Sequence, residues 1–426
     1  MISMSSLSRR HLISAGAAVA GTTLLSAQLS EQQPPALRGS VSDGKVTLPA
    51  LHAETDAGGP VPNPDPPDKR LGIAVVGLGN LSLSQIIPGF GEAKHVRLTA
   101  LVSGERDKAM TIASQYDVPS KNVYSYDNFD QLKNNPEVDI VYIVLPNSMH
   151  AEYTVRAAQA GKHVLCEKPM ATSVKEAQVM VDECRRAKRR LMIAYRMQYE
   201  STHREIIRLA RKREFGEIRF ISAVNGQNDA PNGQWRQIRK FAGGGSLPDV
   251  GIYCFNAFRY ITGEEPSEVT GQITQPRNDP RFREIEDISN FTLRFPSGIF
   301  ATGSAGYSYH ENRHLRVMAS DAWFGADPAF SYNNLTMQIG RRAEKGNAEE
   351  MRRFSPRNQF ATEMDHFAER IRADQDALTP GEEGLQDQKI TEAIYQAAAG
   401  GGVIKLPGSA KLDSTRGAPL PDDSQG

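Results

Sequence analysis

Residues 71–82 read LGIAVVGLGNLS, an unbroken apolar run followed at once by a glycine-rich turn and then by a helical pattern. A short apolar run of this kind is typical of a strand that is buried on both faces of a parallel sheet. Glycines directly after such a strand let the backbone approach a pyrophosphate at a helix N-terminus. Ser82 stands where the dinucleotide-binding fingerprint has its third small residue. The candidate cofactor contacts in this turn are Gly77, Leu78, Gly79 and Asn80.

Apolar strand-like runs and helical patterns alternate from this stretch onwards. Further strands are predicted at 96–102, at 138–145, in the stretch 161–171 that runs into a Glu-Lys-Pro corner, and at 191–195, with helical patterns between them. Strands that alternate with helices at this spacing form a parallel sheet with helices on both faces. We therefore predict an α/β Rossmann domain, a doubly wound parallel sheet, over residues 71–197.

The second predicted strand ends in Ser103, where NAD-binding proteins have an acid that binds the ribose 2′-hydroxyl. Ser103, together with Arg106 or Lys108, would instead hydrogen-bond and neutralise a 2′-phosphate. The sequence thus favours NADP over NAD. The alternative is that Arg106 and Lys108 only solvate the next helix, and Glu105 places a negative charge at the same point.

Two later strand ends also bring polar groups to the carboxyl edge of the sheet, where open α/β proteins bind their ligands. One has Pro146, Asn147 and His150, which we place near a nicotinamide, although a histidine here is also an ordinary helix-start residue. The other has Glu167 and Lys168, stiffened by a proline. Lys168 is the first candidate for catalysis. The alternative for this pair is a solvated surface loop, since exposed ion pairs are common and contribute little.

After a predicted helix at about 203–211 the pattern changes to a period of two, with long strands predicted near 218–224, 268–274, 287–295, 298–305 and 315–320. These predict an α+β C-terminal domain, residues 198–426, built on an open, mainly antiparallel sheet. Such a sheet has one face available, and packing that face against another subunit would cover it. A homo-oligomer, either a dimer or a tetramer, is expected.

Asp249 and Tyr253 follow a Gly-Gly-Gly-Ser turn at 243–246. Four residues apart on a helix, they share one face and would point together into the cleft. A tyrosine next to an ammonium group is able to transfer a proton. The alternative is a capping aspartate with a core tyrosine. Trp235 and Arg236, just upstream, would stack on and pair with a ligand.

The N-terminal segment resembles an export signal. Arg9 and Arg10 precede a short Ala- and Gly-rich apolar run, as in twin-arginine export signals, which a receptor reads and which are then removed. The alternative is an amphipathic helix with a chance arginine pair. We predict a leader at 1–30, export by the twin-arginine machinery and a periplasmic location. Residues 31–70 are proline-rich, which indicates either a disordered leader or an extended arm.

The composition of the chain argues against some classes of binding partner. The 426 residues contain 50 basic and 50 acidic side chains with no basic block, which argues against nucleic acid. The three cysteines form no paired-spacing motif, so no disulfide framework and no metal site are predicted.

Taken in order from about residue 71 to 403, these motifs resemble the family of glucose-fructose oxidoreductases, inositol dehydrogenases and related proteins. The resemblance implies a tightly bound, non-exchanging NADP, an N-terminal arm that wraps it and an oligomer formed through the sheet. It also implies that Lys168 and Tyr253 are catalytic, with Asp249 beside them. Residues that it places near the cofactor are Ser103, Lys108, Tyr126, Arg196, Trp235, Arg236 and Tyr332. The loop at 225–233 and the segment at 307–312 depart from the family pattern and put the substrate pair in doubt.

The expected reaction is oxidation of an aldose, glucose, at C1 to the lactone. Tyr253 would take the proton of the anomeric hydroxyl, Lys168 would stabilise the negative charge and Asp249 would orient the sugar. An exported enzyme meets no pool of NADP, so the same nucleotide would be reoxidised in place by a second sugar, fructose going to sorbitol. The alternatives are an aldose-aldose oxidoreductase, an ordinary NADP-dependent sugar dehydrogenase and a non-catalytic sugar or nucleotide sensor.

Overall fold

The computed structural model describes residues 64–228, 233–355 and 357–420, and three short strands nearer the N-terminus. These three strands form one small antiparallel sheet within a unit that covers Met1–Asn63; they are Ser40–Ser42, Lys45–Leu48 and Gly59–Pro60. The predicted leader and most of the proline-rich segment lie outside the described residues, so both stay predictions. Pro64–Gly426 form the second unit.

The first sheet of this second unit is parallel, as predicted, and has six strands, one more than the five that the sequence predicted; the additional strand is Val123–Tyr124. Its strands are β1 (Leu71–Val76), β2 (Val96–Val102), β3 (Val123–Tyr124), β4 (Ile140–Ile143), β5 (His163–Glu167) and β6 (Leu191–Ala194). Their order in the sheet is β3-β2-β1-β4-β5-β6. The helices between them are α1 (Arg106–Gln115), α2 (His150–Gln159) and α3 (Val174–Arg186). This is the doubly wound order that places a ligand crevice beside β1 and β4.

The second sheet has nine strands. They are β7 (Ile218–Gly226), β8 (Glu268–Thr274), β9 (Ile288–Arg294), β10 (Phe300–Gly306), β11 (Asn312–Ala319), β12 (Ala322–Ala326), β13 (Met337–Arg342), β14 (Asn347–Arg352) and β15 (Ile404–Lys405). They lie in the order β14-β13-β12-β11-β7-β10-β9-β8-β15. Only the pairing of β7 with β10 is parallel among these strands, which confirms the predicted, mainly antiparallel sheet.

Four longer helices accompany this sheet. They are α4 (Ser201–Arg211), α5 (Ile252–Thr262), α6 (Gln359–Arg372) and α7 (Gly381–Gly400). Helix α6 returns to the first sheet, because its Phe360, Met364 and Phe367 are buried in the same apolar cluster as Ile73 and Val75 of β1. The nucleotide-binding half is therefore completed by residues that follow the second sheet.

A buried ionic network joins α5 to α7 and to the C-terminal segment. The guanidinium of Arg259, which is fully buried, contacts Glu265 at 2.7 Å, Glu383 at 2.9 Å and Asp387. Arg416 adds a second cation 3.2 Å from Glu383. Because each buried charge has a partner, the network holds α5 against α7 without leaving an unpaired ion.

The three cysteines, Cys166, Cys184 and Cys254, are buried and unpaired. Among the described residues, no helix is both long and apolar enough to cross a membrane. Nor do the described His, Cys, Asp and Glu side chains form a group of three or more able to hold a metal ion.

Candidate active site

Three side chains predicted from the sequence meet beyond the carboxyl end of β5. β5 ends at Glu167 and delivers Lys168, while a wide helical turn, Leu247–Gly251, carries Asp249 and leads directly into α5 with Tyr253. The Nζ of Lys168 lies 2.8 Å from the carbonyl oxygen of Asp249 and 3.3 Å from its carboxylate. The same Nζ lies 4.6 Å from the centre of the Tyr253 ring. The predicted i, i+4 spacing thus directs both side chains to one lysine.

Asp249 is fixed as an anion. Its second carboxylate oxygen accepts the hydroxyl hydrogen of Tyr307 at 2.6 Å and lies 3.5 Å from Nε of Arg236. Burial by itself would raise the pKa of Asp249, but the charges of Lys168 and Arg236 outweigh it and bring the pKa to about 2. At neutral pH this carboxylate therefore only accepts hydrogen bonds, which suits it to hold a sugar hydroxyl.

Lys168 is held as a cation. Burial favours its neutral form, yet the charges of Tyr253, Asp249 and Glu167 more than compensate, so the pKa of Lys168 is raised. A lysine whose ammonium form is favoured in this way does not act as a base near neutral pH. It acts instead as a fixed positive charge that stabilises a developing oxyanion.

The hydroxyl of Tyr253 has a second cation beside it. Nε of Arg196 donates to this hydroxyl at 3.2 Å, and the guanidinium lies 4.9 Å from the centre of the Tyr253 ring. The arginine is itself held by the side-chain oxygen of Gln359 and by the carbonyl of Phe330, each at 2.8 Å. A phenolate at Tyr253 would face two fixed positive charges, and these would stabilise the ionised form that can accept a proton from a ligand.

A buried glutamate that no sequence pattern indicated organises the turn before Asp249. Glu286 accepts the backbone N–H groups of Gly245 and Leu247, both at 2.9 Å, and the hydroxyl of Tyr395 at 2.8 Å. A Cβ on Gly244 would come within 2.0 Å of that Tyr395 hydroxyl, and one on Gly245 within 2.0 Å of the Glu286 carbonyl oxygen. The glycine run is therefore required by the close approach of Glu286 and Tyr395.

Replacement of Glu286 by alanine is expected to reduce both stability and activity. It would leave two buried N–H groups without an acceptor, each costing about 1–3 kcal/mol, and would free the turn that positions Asp249. Glu286→Gln retains an acceptor oxygen and should recover most of the loss. Urea unfolding and steady-state kinetics of both variants test this. An alanine variant with unchanged kcat and stability would contradict the assignment.

The glycine turn after β1 has room for a dinucleotide. Gly77 has a φ of +93°, and a Cβ there would lie 2.4 Å from the carbonyl oxygen of Val144, so only glycine fits. Nothing lies within 4 Å of the position that a Cβ of Gly79 would take. The hydroxyl of Ser82 donates to the carbonyl of Gly77 at 2.5 Å and fixes the turn. The residues present therefore fit a pyrophosphate in this cradle.

At the end of β2, the residues that were predicted to bind a 2′-phosphate, Ser103 and Lys108, both contact Glu105 in the structure. The hydroxyl of Ser103 accepts the N–H of Glu105 at 3.1 Å, and Lys108 pairs with the Glu105 carboxylate at 2.6 Å. The ring of Tyr126 lies 3.1 Å from where a Cβ of Gly104 would be, so the ring covers the backbone of this turn. Contact of these residues with NADP stays a prediction.

The predicted residues Asn147 and His150 form hydrogen bonds with neighbouring backbone segments. The side-chain N–H of Asn147 donates to the carbonyl of Ala242 at 2.8 Å. Both ring nitrogens of His150, which is buried, lie 2.9 Å from backbone carbonyl oxygens, those of Pro169 and Leu145. His150 therefore joins the ends of β4 and β5. Pro146 begins the short turn that leads from β4 into α2. Their contact with a nicotinamide stays a prediction.

Two predicted aromatic residues lie against arginines at the edge of the site. The guanidinium of Arg236 lies 4.5 Å from the Trp235 ring centre, and that of Arg196 lies 4.4 Å from the Tyr332 ring centre. Tyr332 is 43% exposed, so its ring also has a free surface. These pairs leave flat, cation-backed surfaces on which a ligand ring would stack.

Comparison with known proteins agrees with this fold. A sequence model of an oxidoreductase family with an NAD-binding Rossmann fold matches residues 71–195. A second model, the GFO/IDH/MocA C-terminal domain, matches residues 203–324. The two matches follow each other directly and together cover the Rossmann sheet and most of the second sheet.

Three individual proteins illustrate the relationship. The chain is 43% identical to an aldose-aldose oxidoreductase from Caulobacter crescentus, crystallised with glycerol, over 79% of this chain and 100% of that one, with a TM-score of 0.76. It is 28% identical to a D-xylose 1-dehydrogenase [NADP(+)] from Haloarcula marismortui, over 80% of this chain and 94% of that protein. A 3-ketoreductase from Actinomadura kijaniata in complex with NADP and TDP-benzene shares the fold, at 22% identity and a TM-score of 0.67, over 77% of this chain and 98% of that one.

Proposed function

This chain belongs to the GFO/IDH/MocA family and is an NAD(P)-dependent sugar oxidoreductase, and from that premise we propose that it is an aldose-aldose oxidoreductase. It oxidises one aldose at C1 to the lactone and reduces a second aldose to its alditol, with one NADP that stays bound. The observation that supports this most is the 43% identity to an aldose-aldose oxidoreductase along that protein's whole described length. The grouping of Lys168, Asp249 and Tyr253 provides the chemistry.

Fructose as the second substrate is the other candidate. The ordered motif set and the twin-arginine leader, which resemble the glucose-fructose members of the family, favour it. A sensor without catalysis is disfavoured, because a binding protein has no need of a tyrosine held between Lys168 and Arg196. An ordinary dehydrogenase with exchangeable NADP is the remaining alternative, as in the xylose dehydrogenase relative.

The proposed mechanism moves one proton through Tyr253. Asp249 accepts a hydroxyl hydrogen of the aldose and orients the ring, while Tyr253 takes the proton of the anomeric hydroxyl. Tyr253 must be ionised to take this proton, and Lys168 and Arg196, which lie beside its ring and its hydroxyl, stabilise that phenolate. When bound, the nicotinamide supplies the two-electron acceptor for the hydrogen on C1. In the second half-reaction Tyr253 returns its proton to the carbonyl oxygen of the second aldose, so no net proton is released.

Other residues of the chain would hold the dinucleotide. The backbone at Gly77–Asn80 would accommodate the pyrophosphate, and Ser103, with Lys108 released from Glu105, the 2′-phosphate. A nucleotide recycled in place also suits the periplasmic location that the leader predicts. Export by the twin-arginine machinery, which accepts folded proteins, is part of the same proposal.

The test of this function adds no nucleotide. Purified protein given two aldoses, glucose and xylose, is expected to form lactone (or the sugar acid) and alditol in equal amounts. Tyr253→Phe, purified in parallel, is the matched control for contaminating enzymes. A product that forms only when NADP is added would contradict recycling and indicate an ordinary dehydrogenase. Replacement of one aldose by fructose, with sorbitol as the product measured, distinguishes the second candidate.

We further propose that the open face of the nine-stranded sheet forms a homo-oligomer. Phe220 and Phe300 are opposite each other on β7 and β10 and are 36% and 46% exposed. On the same sheet Trp323 lies under Arg316, whose guanidinium is 4.1 Å from the ring centre. Large apolar side chains grouped on one sheet face are typical of a subunit interface.

Phe300→Asp is expected to convert the oligomer to a monomer, because the substitution places a charge on this face that the interface would bury without a partner. Analytical ultracentrifugation at several concentrations measures the change. Ile273→Asp is the matched control, since Ile273 is 41% exposed but, by strand alternation, shares the side of β8 on which Gly271 approaches Ile394 of α7. If both variants sediment as the unmodified protein does, the interface lies elsewhere.

A further inference from the structure

Behind Lys168 lies a cluster of three buried groups that the mechanism above does not use. The hydroxyl of Tyr142, on β4, is 2.8 Å from Oε1 of Glu167 and 3.0 Å from Oε1 of Glu363 on α6. Tyr142 and Glu363 are completely buried, and Glu167 is 7% exposed. Two carboxyl groups therefore share one phenol at hydrogen-bond distance, out of contact with bulk water.

The number of hydrogens decides the state of this cluster. A phenol has one hydrogen to donate, and an ionised carboxylate has none. With both acids ionised, one of the two short contacts would join an oxygen to an oxygen without a hydrogen between them. Two buried like charges this close would also repel strongly. One of the acids must therefore keep its proton.

The surroundings indicate which acid this is. Burial, and then the charge of Glu167, raise the pKa of Glu363 well above its ordinary value. Burial also raises the pKa of Glu167, but the hydrogen bond from Tyr142 and the charges of Lys168 and Arg196 oppose that rise. Glu167 thus has two cations facing it, and Glu363 is the acid whose ionised form is least favoured.

The groups around Glu363 come from every element packed against it. β4 contributes Tyr142, β5 contributes Glu167, and the turn Arg196–Tyr199 contributes Arg196 and the buried ring of Tyr199. On α6 itself, Gln359 holds Arg196 through its side-chain oxygen at 2.8 Å. The positive charge of Arg196 is therefore engaged with Gln359, with the carbonyl of Phe330 and with Tyr253.

We propose that Glu363 is a neutral carboxylic acid that donates its hydrogen to Tyr142, which in turn donates to Glu167 and leaves Glu167 as the single anion behind Lys168. Glu363 is then a positioning residue: it touches no reacting atom and acts through Tyr142 and Glu167. The chain of two hydrogen bonds fixes where the anion stands, and that anion keeps Lys168 charged and directed at Asp249 and Tyr253. The effect on catalysis rests on the proposed function; the protonation of Glu363 does not.

The first experiment measures the proton itself, without any substrate. Unfolded Glu363 would ionise near its ordinary value of 4.5, whereas the folded protein keeps the proton, so folding takes up a proton above that pH. Because the pKa of Glu363 is raised in the folded protein, its contribution to stability is complete below the unfolded pKa and is lost as the pH rises through the folded pKa. Glu363→Gln, whose amide donates to Tyr142 as the acid does, removes this dependence.

The quantity to compare is the urea unfolding equilibrium constant of the two proteins from pH 5 to pH 8. For each unit of rising pH, the unfolding equilibrium constant of Glu363→Gln should fall about tenfold relative to that of the unmodified protein, so the variant gains relative stability. Glu349→Gln, a change at an exposed glutamate of β14, is the matched control and should follow the unmodified protein at every pH. Parallel curves for Glu363→Gln and the unmodified protein would show that Glu363 is ionised in the fold and overturn the proposal.

The second experiment tests positioning. Glu363→Ala leaves Tyr142 without its donor, and Tyr142→Phe removes the donor to Glu167, so both should lower kcat by about tenfold or more with little change in KM. Glu363→Gln should recover at least tenfold relative to alanine, and a merely space-filling role would not predict this difference. Equal kcat for glutamine and alanine would overturn the positioning role. If the unmodified protein has no sugar activity, the proposed function fails, while the stability comparison still decides the protonation of Glu363.

Discussion

Tyr253→Phe is expected to lower kcat by about 100- to 10,000-fold, the range that general acid-base catalysis contributes. The phenol hydroxyl is the group that Arg196 contacts, and phenylalanine keeps the ring against which Lys168 and Arg196 both lie. The packing against Phe330, whose ring centre is 6.0 Å away, is also unchanged. The variant should therefore fold and contain as much nucleotide as the unmodified protein.

The measurement is kcat in both half-reactions, with the nucleotide content of the purified protein read from its absorbance. Tyr116→Phe, at an exposed tyrosine after α1, is the control for the substitution itself. A loss of activity that is accompanied by loss of nucleotide would point to a binding defect. Near-normal turnover with nucleotide present would show that another group transfers the proton.

The second large effect concerns stability. Arg259→Met is expected to destabilise the protein by about 3–5 kcal/mol or to prevent folding, because it leaves the carboxylates of Glu265, Glu383 and Asp387 buried with too little positive charge. Even with the arginine present, the pKa of Asp387 is raised to about 7. Burial is the main cause; the positive charge of Arg259 lowers this pKa, but the negative charge of Glu383 raises it. Without Arg259, these acids would have to take up further protons on folding.

Urea unfolding at pH 7 and at pH 5 separates the charge effect from lost packing. The destabilisation should be smaller at pH 5, because an Asp387 proton is then already bound and fewer protons must be taken up. Arg185→Met is the matched control: Arg185 lies on α3, is 68% exposed and pairs with Glu382 at 2.8 Å, so its loss should cost no more than about 1 kcal/mol. Equal losses for the two variants would mean that the network contributes little.

Local patterns were sufficient for the centre of the site. The apolar run before Gly77, the Glu-Lys-Pro corner and the Asp249–Tyr253 spacing each lie within a few residues, and strand direction brings their ends to one edge. Lys168, Asp249 and Tyr253 were predicted in this way, and the structure brings them together. Both sheets were also predicted, because their strands differ in periodicity.

The supporting residues depend on contacts that no local pattern records. Glu363 meets Tyr142 across 221 residues, and Glu286 meets Leu247 across 39. Strands β3, β12, β13, β14 and β15 were not predicted: β3 and β15 have only two residues each, and β14 is an edge strand with three charged residues of six and no apolar alternation. Helix α7 was also missed: buried residues occur around much of its surface, so it lacks the one-sided apolar stripe of a surface helix.

The return of α6 to the first sheet has a consequence for synthesis. Phe360, Met364 and Phe367 fill the apolar cluster that includes Ile73 and Val75, nearly three hundred residues earlier in the chain. While the ribosome is still making the second sheet, this side of the Rossmann half has no cover and exposes apolar side chains. The two halves therefore cannot mature one after the other from the N-terminus; the first becomes complete only when almost the entire chain has emerged.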